Sequence, residues 1–190
     1  MTSLTLRAAL LSIALLGSTT TRAQVEVQPV QHTSIGQILA VKVSEQIAPG
    51  DYEALLKGLR QNPGKFAKKI VVLDSIGGSI QEAIRMGRLL RETGFDVLVP
   101  SNSVCQGTCV YLLAAGRDKT VHGYVGLHRP YYPDGDSALA AQASSAARYS
   151  PTAYLRDMNI PASLAEEMSR IDPQHMRVLS PQELARYRLD

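Results

Sequence analysis

The stretch Ile70-Val71-Val72-Leu73 is an unbroken apolar run, and it passes directly into Asp74-Ser75-Ile76-Gly77-Gly78-Ser79. Ile80, Ala83, Ile84, Gly87 and Leu90 then recur at helical spacing. A strand without polar alternation is buried on both faces, and that environment belongs to a parallel sheet covered by helices. The run therefore predicts a strand, a tight glycine turn and a helix over about 79–92, stopped by Gly94. The flanking segments continue the rhythm. Ile35 to Val43 alternates and reads as a strand, after a polar, extended lead-in over 24–34. Asp51 is a candidate cap for a helix to about Gln61, with Tyr52, Leu55, Leu56 and Leu59 on one face and Asn62-Pro63-Gly64 ending it. Phe95 to Val99 is the next strand and 100–105 a loop. Cys109 to Ala115 is a short buried helix closed by Gly116, and Lys119–His122 and Tyr124–His128 are two short strands. Alternating strands and helices predict an α/β fold with a central, mainly parallel sheet. Helical pieces come next at 137–148 (rich in Ala and Ser), 154–159, 162–171 and 180–187, the last beginning Ser180-Pro181-Gln182-Glu183.

The first 23 residues stand apart. Arg7 precedes the apolar run Ala8 to Gly17, which is short for a bilayer span, and Thr21-Arg22-Ala23 provides small residues for cleavage. This pattern predicts a secretory signal peptide, 1–23, and a single exported domain, 24–190. A buried N-terminal helix or a retained anchor is the alternative. Of the 20 basic residues, Arg7 and Arg22 leave with the leader, so 18 basic residues face 17 acidic ones and the mature domain is nearly neutral. No basic run interleaved with aromatics is present, which argues against a nucleic-acid partner. No second apolar stretch of membrane length comes after the leader, so the expected location is periplasmic or secreted. Cys105 and Cys109 are the two cysteines. In an oxidising compartment their spacing allows a local disulfide; two packed thiols are the alternative. The pair offers too few ligands for zinc, and no cofactor or metal is expected.

Several segments, taken in order, resemble one family. Leu73-Asp74-Ser75-Ile76-Gly77-Gly78-Ser79 resembles the turn after a sheet strand in Clp-type serine proteases and crotonases. Leu112-Leu113-Ala114-Ala115-Gly116 and Val125-Gly126-Leu127-His128-Arg129-Pro130 resemble the segments after the nucleophile in Clp proteases, and Leu179-Ser180-Pro181-Gln182-Glu183-Leu184 resembles their last helix start. The chain is most similar to exported Clp-protease-like proteins with Cys-x-x-x-Cys at the nucleophile helix. The resemblance spans about 35–190 and implies a βαβ spiral with C-terminal helices. It also implies self-association into trimers, hexamers or stacked rings, with 137–148 a candidate contact.

The same resemblance implies roles. A Ser attacks, a His takes its proton and an acid orients the His, while turn amides stabilise the oxyanion. His128 falls at the base, and Gly77 and Gly78 at the oxyanion turn; a structural histidine and a packing turn are the plain alternatives. The nucleophile position falls on Gly107, which has no side chain. Thr108 carries the neighbouring hydroxyl, but one residue along a helix rotates a side chain by about 100°. Reduced Cys105 or Cys109 is a further candidate nucleophile, and Ser103 reads as a loop residue. The acid position falls on Met176; Asp172 is the nearby acid and His175 its neighbour. These departures predict a non-catalytic protein that binds peptides or assembles with itself or an envelope partner. The alternative is a peptidase or esterase using Thr108 with His128, and Asp172 as the candidate acid. Acyl-CoA chemistry, as in crotonases, conflicts with export.

Overall fold

The computed structural model describes residues 24–130 and 150–190. The expected leader and the Ala/Ser-rich helix at 137–148 lie outside the described residues. The chain forms an α/β domain on a mixed, mostly parallel eight-stranded sheet. The strands are β1 (Gln24–His32), β2 (Gly36–Ile47), β3 (Lys68–Gly78), β4 (Asp96–Val99), β5 (Val104–Gln106), β6 (Lys119–Val121), β7 (Tyr124–Leu127) and β8 (Arg177–Val178). The helices are α1 (Asp51–Gln61), α2 (Ile80–Thr93), α3 (Cys109–Ala115), α4 (Pro151–Asp157), α5 (Ser163–Arg170) and α6 (Pro181–Tyr187).

The apolar run is the pivot of the sheet, though it is fully buried on one face only, Ile70 and Val72 being half-buried where burial on both faces was expected. Val71 and Leu73 are fully buried, and β3 pairs in parallel with β2 along its length. On its other side β3 forks. Residues 70–72 pair with β4, while Ser75, nearer the tip, pairs with Cys105 of β5. The two branches continue in parallel, β4 to β6 and β5 to β7. Only the margins are antiparallel: β1 with β2, and β7 with β8. The tip branch thus carries the strand ends 75–78, 104–106 and 124–127 side by side.

The lead-in differs from expectation. Residues 24–32 form a full strand paired to β2, with Val25 and Val27 packed against the core. Val25 and Val27 alternate with polar residues and so present one apolar face to α1 and the sheet. The cap of α1 also differs. Gly50 holds the cap position at φ 100°, and Asp51 is the first helical residue, its carboxylate accepting from the Ala48 amide at 2.7 Å. The start of α1 is instead served from α2. The buried Glu82 carboxylate accepts from the amides of Gly50 (3.2 Å) and Tyr52 (2.9 Å), satisfying donors that a helix start leaves open. Ser79 caps α2 through the Glu82 amide, and α6 begins with a complete capping box between Ser180 and Glu183. Helix α3 is buried along its whole length against α2 and the strands. Its ring of contacts includes Tyr154, edge-on to Tyr111 with its hydroxyl donating to Tyr111 O at 2.7 Å.

No helix among the described residues is long and apolar enough to cross a membrane.

Candidate functional site

The site lies where β3, β5 and β7 end. Strand β5 stops at Gln106, and the chain turns at Gly107 into α3. Gly107 takes φ +52°, a left-handed conformation that glycine adopts without steric cost. Its amide donates to Gly126 O at 3.0 Å, and the Val110 amide donates to its carbonyl at 3.1 Å, so the turn is held from both sides. The sulfurs of Cys105 and Cys109 are bonded, tying the end of β5 to the first residue of α3 around this turn. Both are fully buried. A sharp strand-to-helix turn of this kind is how hydrolases present a nucleophile at the head of a sheet.

Here the turn presents only Cα hydrogens. A Cβ built on Gly107 would fall 2.7 Å from Nε2 and 2.5 Å from Cε1 of His128. The Cε1–Nε2 edge of the imidazole therefore sits directly over the place where a side chain at 107 would begin. The other ring nitrogen, Nδ1, lies 2.8 Å from Arg129 O. A carbonyl only accepts, so Nδ1 carries the proton and, in the neutral ring, Nε2 holds the lone pair. The backbone thus fixes the tautomer that a carboxylate fixes in a Ser-His-Asp triad. Among the described residues Nε2 has no hydrogen-bond partner.

Among the described residues Asp172 makes no hydrogen bond to this ring. Its carboxylate pairs with the Arg129 guanidinium at 3.5 Å and accepts from the Gln174 amide at 2.9 Å, with both ion-pair partners exposed. Its observed function is to cap the 172–175 turn, where the His175 amide also donates to Asp172 O. Met176 lies over Gly126 on β7.

The glycine turn comes up to the same point from β3. A Cβ on Gly77 would meet Gln106 O at 2.6 Å and the Thr108 nitrogen at 2.9 Å, so only glycine lets the 77–78 turn close on the head of α3. The hydroxyl of Thr108, which is 1% exposed, accepts from the Gly78 amide at 2.6 Å and donates to Gly78 O at 3.2 Å. The Gly77 amide donates to Ser75 Oγ at 3.2 Å, and that hydroxyl donates to Glu45 O at 2.6 Å. Both turn amides are therefore satisfied internally.

A cavity of about 370 Å³ opens between these parts, lined by Gln46, Ile76, Gly77, Gly78, Thr108, His128 and Pro130. The structure brings together Gly77, Gly78, Gly107, Thr108 and His128 from elements distant in sequence. Ser103 is buried in the loop before β5 and its carbonyl accepts from the Tyr124 amide, away from the imidazole. Sequence reasoning passed over Ser75, Gln46 and Pro130. The Ser-x-Gly spacing, typical of a hydroxyl bonding the amide two residues on, is the signal that points to Ser75.

Neither protein-family models nor curated protein sequences return a match to this chain.

Proposed function

We propose that this chain is an exported, non-hydrolytic relative of Clp-type proteases, whose pocket at the head of α3 binds a peptide-like ligand rather than cleaving one. The observation that carries this reading is Gly107: the turn, the imidazole and the cavity that surround a nucleophile are present, and the position aimed at Nε2 has no side chain. Two further features support it. The amides of Gly77 and Gly78, which an oxyanion would need, already donate to Ser75 and Thr108. The disulfide closes both thiols to nucleophilic use and suits an oxidising compartment. The likeness to Clp-type proteases further supports self-association of the mature domain.

The competing assignment makes Thr108 a displaced nucleophile. Its hydroxyl proton is directed to Gly78 O, and attack would require it to leave both Gly78 partners and turn toward His128. An alkyl fluorophosphonate probe and a thiol-reactive probe separate the two readings. The folded protein, oxidised or reduced, is expected to take up no fluorophosphonate. Labelling that vanishes in His128→Ala would establish a hydrolase and end the non-catalytic reading. Sedimentation at micromolar concentration tests assembly, and a strictly monomeric profile would remove it.

A further inference from the structure

The cavity beside Gly107 presents the opposite polarity to an oxyanion site, and this inference rests on the reading that it binds rather than cleaves. An oxyanion site works through N–H groups that are free and aimed at the incoming oxygen. Here the Gly78 amide is held by Thr108 Oγ1 at 2.6 Å, and the Gly77 amide by Ser75 Oγ at 3.2 Å. Neither hydroxyl is loose. Ser75 donates onward to Glu45 O, and Thr108 donates back to Gly78 O. Thr108 Oγ1 thus stands on the Gly78 amide where a carbonyl or carboxylate oxygen of a ligand would stand.

Across the cavity, His128 Nδ1 is committed to Arg129 O, which leaves Nε2 as an acceptor without a partner among the described residues. Ile76 and Pro130 supply apolar walls. The neighbouring Arg129 guanidinium is turned to Asp172. A ligand entering this space meets the His128 acceptor, hydrocarbon and the exposed Gln46 amide at the rim, and finds the turn donors already taken.

We propose that Thr108 acts as an internal oxyanion surrogate, making the cavity selective for neutral ligands that donate a hydrogen bond to His128 Nε2, such as an amide N–H, and unfavourable to carboxylates. A carboxylate would meet the Nε2 lone pair and find neither turn amide free, with the exposed Gln46 amide its one donor among the described lining residues, so it is less well paired there than in water. An amide N–H would satisfy Nε2 and lay its hydrocarbon on Ile76 and Pro130. Thr108 is a positioning residue here, acting through the Gly78 amide.

Butyramide and butyrate, matched in size, test the proposal by nuclear magnetic resonance titration of the isotopically labelled mature domain at neutral pH. Butyramide is expected to shift the His128 ring nitrogens saturably, with butyrate weaker by about tenfold or more. Thr108→Val is nearly isosteric and frees the Gly78 amide. Its amide proton should move upfield, and butyrate binding should rise by about tenfold. Thr108→Ser keeps the hydroxyl and should keep the wild-type preference. Equal binding of the two probes, no binding of either, an unchanged butyramide affinity in His128→Phe, or an unaltered preference in folded Thr108→Val would each overturn the proposal. Should Thr108→Val not fold, the wild-type preference and the His128→Phe result decide it. Fluorophosphonate labelling would instead strike the non-catalytic reading, so the two failures are distinguishable.

Discussion

Placing a side chain at 107 is the most direct perturbation of the site, and Gly107→Ala is its minimal form. Two costs can be worked from the structure. The residue sits at φ +52°, and a β-carbon in the left-handed region costs about 1–2 kcal/mol. The new Cβ also falls 2.5–2.7 Å from the His128 ring, inside any permitted contact, so the ring must move. Moving it breaks the Nδ1 hydrogen bond to Arg129 O, worth about 1 kcal/mol net. The sum is about 2–3 kcal/mol, which for a domain of this size lowers Tm by roughly 4–12 °C. The assay is urea unfolding of four proteins: wild type, Gly107→Ala, His128→Ala and the double variant. In the His128→Ala background the clash is gone and only the backbone cost remains. The cycle should therefore show a coupling of about 1 kcal/mol, the double variant being more stable than the summed single effects. A Gly107→Ala cost that is negligible, or identical in both backgrounds, would refute the claim that position 107 faces the imidazole.

The same geometry sets other expectations. Gly107→Ser should gain no measurable hydrolysis of p-nitrophenyl acetate, because the turn amides stay engaged and its Cβ, like that of Gly107→Ala, displaces the His128 ring; turnover above the wild-type background would refute this. Burial raises the Tyr154 phenol well above its ordinary value, so the folded state keeps its proton after the unfolded chain has lost it. That stabilisation is fully present below about pH 10 and declines above it by up to about 1.4 kcal/mol per pH unit. Thermal melts across alkaline pH should show the decline in wild type and less of it in Tyr154→Phe. Glu82→Ala removes the acceptor serving the Gly50 and Tyr52 amides and should cost about 2–3 kcal/mol in urea unfolding, with amide exchange accelerated at the start of α1. Reduction of the disulfide, which closes a loop of only a few residues, should cost about 2 kcal/mol by chain entropy, read as a fall in Tm with dithiothreitol.

What the chain declares locally and what it does not divides along the range of the forces involved. The Ile70–Leu73 run, the helical spacing from Ile80 to Leu90, the glycine stops and the Ser180 capping box are effects of neighbours within a turn or two. They are legible in the letters as an α/β pattern, as is a cysteine spacing short enough to bridge. The strand β1 reads only as extended, because whether an extended segment becomes a strand depends on the edge it finds, here β2. The two-residue β8 carries no periodicity to read and exists through its pairing with β7. Asp51 has the composition of a cap, yet Gly50 occupies the position because the amides there are satisfied by Glu82, some 30 residues away. The site obeys the same rule. That position 107 is a glycine and position 176 a methionine is visible in the letters alone. That Thr108 closes on Gly78 across 30 residues, and that His128 takes its orientation from a carbonyl, arose only when three strand ends met. Hydrogen bonds are directional and short, so partners distant in the chain are chosen by the packed backbone and not by local preference.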